Sequence, residues 1–92
     1  MRLRFYIDPG TGEPHIQEHA VSKEEVEDVL ARPLEDRLGA EGVRVAIGQT
    51  RGGRYLRVVY VPDPEPDSLF VITGYELGPK ALRALRRRRR KR

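Results

Sequence analysis

The chain has ninety-two residues, 35% of them charged and 38% hydrophobic, and no cysteine. A chain this short buries one core, no run is long and apolar enough to span a bilayer, and disulfides, thiolate metal sites and cysteine nucleophiles are excluded. The net charge of +4 conceals a split: residues 1–78 hold nine Lys or Arg against fourteen Asp or Glu, while residues 79–92 hold nine Lys or Arg and no acid. Such asymmetry points to a polyanion or an acidic protein as partner. The opening MRLRFYIDPG lacks the apolar stretch of a signal peptide, so a cytoplasmic protein is expected.

In chain order, RLRFYID alternates, with Leu3, Phe5 and Ile7 on one side, which is the period of a half-buried strand. PGTGEP is turn chemistry. Pro14 can open a short helix carrying His15 and His19, the only histidines. Ser22 and Glu25 spell a capping box. The following acids suit a helix N-terminus, and Val26, Val29 and Leu30 form its buried stripe. Pro33 ends this helix, and LEDRLGAEG reads as a loop. Strands follow over 43–50, 54–61 and 69–77, joined by the tight turn RGG and the acidic loop PDPEPDS. Gly78-Pro79 opens a last helix with Leu82 and Leu85 inward. The expected fold is α+β: an antiparallel meander of about four strands, with the N-terminal helices and the C-terminal helix on one face. The expected domain is 1–80, with 81–92 as helix end and basic tail.

If Gly52 and Gly53 are the two turn residues, Ile47 faces Val58 and Val45 faces Tyr60. A symmetric PDPEPDS loop then puts Arg57 opposite Thr73. One face becomes apolar and lies under the helices. The other mixes Arg44, Ala46, Gly48 and Thr50 with Tyr55, Arg57, Thr73 and Tyr75, and gathers the two tyrosines, Arg57 and Thr73 beside Gly48 towards one end. Arginine there can hold a phosphate and a tyrosine ring can stack a base. The plainer reading is the wet face of a sheet, where these residue types are common.

The histidine pair is a poor metal site from sequence, because no HExxH or cysteine supplies further ligands. No metal and no cofactor are expected. A general acid or base is the better chemical role, against the plain alternative of a hydrogen bond between two helices. Residues 86–92, RRRRRKR, repel one another and need counterions, and arginine suits phosphate. Arg86, Arg87, Arg88, Arg89 and Arg90 are therefore candidate nucleic-acid contacts. The plainer reading is a solvated tail, or one held against the acidic helix 22–30. Asp63, Glu65 and Asp67 alternate with prolines too stiffly to converge on a cation.

Several segments resemble the BrnT toxins and an allied bacterial family of unknown function, both within the RelE-like ribonuclease folds. They are His19-Ala20-Val21-Ser22 with its acidic helix, Arg44 to Thr50, Gly53 to Tyr60, and Phe70 to Tyr75. Together they cover most of residues 14–77. Where BrnT toxins usually carry an arginine near the end of the last strand, this chain has Tyr75, as the allied family more often does. The resemblance implies a RelE-like fold, metal-independent RNA cleavage and an antitoxin partner. His19 would be the base, Arg57 or Arg54 would sit on the phosphate, and Tyr75 or Thr73 would position it. Arg44 and Tyr55 join the nucleic-acid contacts. The alternatives are a non-catalytic nucleic-acid or protein-binding module on the same scaffold, and a protein whose sheet face makes a homodimer.

Overall fold

The computed structural model describes residues 1–90. The elements are β1 (Arg2–Phe5), a 3-10 helix (His15–His19), α1 (Lys23–Ala31), β2 (Glu35–Leu38), a 3-10 turn (Ala40–Gly42), β3 (Arg44–Gln49), β4 (Tyr55–Pro62), β5 (Ser68–Glu76) and α2 (Pro79–Arg90). The class is α+β. All five strands form one mixed sheet in the order β1-β5-β4-β3-β2. The expected four-stranded antiparallel meander is corrected on two counts. β1 runs parallel to β5, and the stretch expected to be a loop contains β2, antiparallel to β3.

β2 carries Glu35, Asp36 and Arg37, which hide it from a search for apolar alternation. It sits at the sheet edge, where charged side chains are tolerated and deter pairing with other chains. Two contacts tie it in. Asp36 accepts a hydrogen bond from the Tyr60 hydroxyl at 2.6 Å and one from Arg44 Nε at 3.1 Å. Burial first, then the Asp36 carboxylate, push the Tyr60 phenol above its ordinary pKa.

The β3–β4 turn decides which side chains share a face. Gly53, at φ 97°, donates its N–H to the Thr50 carbonyl at 3.0 Å, and Thr50 N–H reaches the Arg54 carbonyl at 2.8 Å. The loop therefore holds three residues, Arg51–Gly53, with glycine in the left-handed position that such loops demand. The two-residue turn read from sequence is off by one. Ala46 faces Val58, Ile47 faces Arg57 and Val45 faces Val59. A one-residue slip turns every side chain of β3 to the other side relative to β4. The β4–β5 pairing also slips: Val61 faces Phe70, the register breaks between Val59 and Tyr60, and Arg57 faces Tyr75 while Val59 faces Thr73.

Helices lie on both sides of the sheet, α2 over one end of its face only, which corrects the expectation of helices on one face. Ile16, Val21, Val26 and Val29 pack against Ala46, Leu56, Val58, Tyr60 and Val71. Ile47, the strand neighbour of Ala46 and so opposite in direction, packs instead with Leu77 and Leu85, joined by Leu34, Tyr55 and Leu82. α1 and the 3-10 helix thus lie on one face and α2 on the other. α1 begins with the expected capping box: Glu25 N–H donates to Ser22 Oγ and Ser22 N–H to Glu25 Oε1, both at 3.1 Å. No helix among the described residues is long and apolar enough to cross a membrane.

Candidate functional site

The 3-10 helix places the histidines. Its Ile16 is 1% exposed and sits against Gly74 of β5, where an added Cβ would lie 3.6 Å from Ile16 Cγ2. His15 N–H donates to the Tyr6 carbonyl at 3.0 Å. The helix closes on Ala20, which takes the left-handed conformation at φ 55° and so redirects the chain into α1. Anchored at both ends, the histidines overhang the free part of β5 beyond its pairing with β1.

Four rings then run in a row. Tyr6 and His15 centroids are 6.4 Å apart, His15 and His19 5.4 Å, and His19 and Tyr75 5.7 Å. His15, His19, Thr73, Tyr75 and Glu76 line one open cleft of about 500 Å³. Arg57 lies behind it, its guanidinium 5.9 Å from the Tyr75 ring centroid. Among the described residues, Arg57 Nε and Thr73 Oγ1 are buried without a hydrogen-bond partner. Among the candidates expected from sequence, His19, Thr73 and Tyr75 therefore meet, with Arg57 next to them.

The other arginine candidates have different neighbours. Arg54 Nη1 donates to both Glu25 oxygens, at 2.9 and 3.0 Å, and to the Ala20 carbonyl at 3.0 Å, and Nη2 reaches Glu76 at 3.2 Å. Burial lowers its pKa, but the bonds to Glu25 and Glu76 outweigh this and hold it above the ordinary value. Arg44, on the α1 face, is held by Asp36, whose bond raises its pKa first, followed by Tyr60. Gly48 also lies under α1, with Val29 against it. Arg44 and Gly48 thus leave the group that contains Tyr55, Arg57, Thr73 and Tyr75.

The basic segment is helical through Arg90; Lys91 and Arg92 lie outside the described residues. It is held by β2 rather than by α1. Arg88 makes two bonds to Glu35, at 2.8 and 2.9 Å, and Arg89 donates to the Leu34 carbonyl at 3.0 Å. Cations in a last helical turn also suit its dipole. Arg86 lies over the Tyr55 ring at 6.0 Å. Arg87 and Arg90 are exposed.

Two acids escaped the sequence reading. Asp8 Oδ2 and Glu18 Oε2 each lie 3.4 Å from His15 Nδ1, and the three side chains could together offer ligands to a divalent ion. Asp8 is held below the usual carboxylate range, chiefly by the Gly10 N–H at 2.8 Å, then by Glu18 and His15. Asp8 belongs to the turn segment, so only the bridge between Ile7 and Pro14 brings it to His15. In the acidic loop, Asp63 and Glu65 do not converge: Asp63 accepts two bonds from Arg4 and Glu65 one from Arg2.

No family model, no curated protein and no solved structure matches this chain.

Proposed function

We propose that this chain is an RNA-directed protein of RelE-like fold, related to the BrnT toxins, that cleaves RNA without a metal ion. The observation that supports this reading is the meeting of two histidines, Tyr75 and Thr73 in one open cleft, with Arg57 behind Tyr75. In this scheme His19 takes the proton of a ribose 2′-hydroxyl. The 2′-oxygen attacks the adjacent phosphorus, the bond to the 5′-oxygen breaks, and a 2′,3′-cyclic phosphate and a 5′-hydroxyl result. His15 gives the leaving 5′-oxygen its proton. Tyr75 stacks or orients the nucleotide, Thr73 lines the cleft beside it and positions it, and Arg57 lends positive charge to the phosphate. An antitoxin partner and a cytoplasmic location belong to the same reading, whereas a homodimer through the sheet face belongs to the alternative one.

The test is cleavage of a labelled RNA by the pure chain in EDTA, with His19→Ala and His15→Ala beside it. Cleavage is expected to persist in EDTA, to be bell-shaped in pH, and to fall about 10²–10⁴-fold in His19→Ala. Intact RNA with the native chain, at protein concentrations that bind it, overturns the catalytic reading and leaves the non-catalytic binding module.

A further inference from the structure

The five arginines from Arg86 to Arg90 are not equivalent, because a helix deals consecutive residues to different sides. Arg88 is committed to Glu35. Arg86, Arg89 and Arg90 line a groove of about 400 Å³ with Gln49 and Tyr55, and no carboxylate among the described residues lines it. Leu85, 1% exposed, lies beneath. Arg87 does not line it. The groove shares no lining residue with the histidine cleft.

An aromatic ring flanked by guanidinium groups has a specific chemical match. An acidic peptide would use the charges but leave the ring idle. Duplex RNA offers phosphates but keeps its bases stacked inside. A single strand offers both at once: bases stack on aromatic rings and on arginine planes while the backbone tracks a basic groove.

We infer that the groove between α2 and the Tyr55 end of the sheet binds a nucleotide of single-stranded RNA, its base on Tyr55 and Arg86 and its phosphate on Arg89 and Arg90. The choice of RNA rests on the proposed function, but the residues are different ones. This site gives affinity and the histidine cleft gives chemistry.

Fluorescence anisotropy with a 2′-O-methyl oligouridylate separates the two, since that probe cannot be cleaved. Arg90→Glu and Arg87→Glu change charge equally, one inside the groove and one outside it. Arg90→Glu is expected to weaken binding about tenfold or more, as losing one direct contact would, and Arg87→Glu distinctly less. Arg90→Ala should also lower the slope of log affinity against log salt by about 0.7, the value for one phosphate on a single strand. Tyr55→Leu should cost at least about fivefold. Because Tyr55 also packs beneath α2, its circular dichroism is checked, and Arg90→Glu decides the matter if that variant unfolds. Equal losses from Arg87→Glu and Arg90→Glu would overturn the inference, as would a duplex RNA binding as tightly as the single strand, or polyglutamate displacing the probe at equal charge. Cleavage is read separately, on an RNA that keeps its 2′-hydroxyls. Failure of cleavage alone therefore removes the catalytic reading, and failure of the groove variants removes only this one.

Discussion

Arg54→Leu asks whether that arginine serves RNA or the fold. The leucine keeps an apolar stem and removes the guanidinium. Its paired bonds to Glu25 join side chains 30% and 23% exposed, for which about 1 kcal/mol is reasonable. Glu76 is 58% exposed, so that pair contributes little. The charged bond to the Ala20 carbonyl adds about 1 kcal/mol, reduced from the buried case because Arg54 is partly solvated. The loss is then about 2 kcal/mol, or about 8–16 °C in Tm for a domain of this size. Thermal unfolding by circular dichroism measures it. The Ala20 bond also anchors the turn that follows His19, so RNA cleavage should fall further than RNA affinity. An unchanged Tm together with weakened RNA binding would refute the structural assignment and return Arg54 to the phosphate.

Three further substitutions probe other parts of the molecule. Ser22→Ala removes the α1 cap and should cost about 1 kcal/mol, read as a lower midpoint in urea. Gly48→Ala would place a Cβ 3.2 Å from Val29 Cγ1 and should destabilise by about 1–3 kcal/mol; an unaffected Tm would mean that Gly48 does not pack against α1. Arg88 holds the Glu35 carboxyl below its ordinary 4.5. Since the folded value is the lower one, the pair stabilises fully above that pH and is lost as pH falls through the folded value. The Tm gap between the native chain and Arg88→Leu should therefore narrow on acidification; a constant gap would show that the pair does not carry it.

Much of the fold was legible wherever a local rule had one solution. The Ser22–Glu25 capping box, the short helix after Pro14 and the last helix all stand where their residues place them. The misreadings share a physical origin. Gly52-Gly53 fits a two-residue turn as well as a three-residue one, and only the hydrogen bonds of Thr50 decide between them. That single residue moves Arg44 and Gly48 to the α1 face and Ile47 to the α2 face. β2 was hidden because an edge strand needs no apolar alternation. At the candidate site, His19, Thr73, Tyr75 and Arg57 come together although the register of the last three differs from the one a symmetric loop implies. Arg57 and Tyr75 are direct cross-strand partners instead of diagonal ones. Asp8 and Glu18 could not be found from spacing, since a turn, not a helix period, brings Asp8 to His15.

The parallel pairing of Arg2–Phe5 with Ser68–Val71 joins segments separated by most of the chain, and it bears on how the molecule assembles. Contacts so distant in sequence form late, because loop closure must precede any gain from them. During synthesis the first strand leaves the ribosome long before its partner exists. The β3–β4 hairpin and α1 can associate while Leu3 and Phe5 wait in solvent. Once β5 forms against β4, its other edge stays open for pairing until β1 docks. A slow step in folding, and the window for misassociation between nascent chains, should therefore both lie at the docking of the first strand.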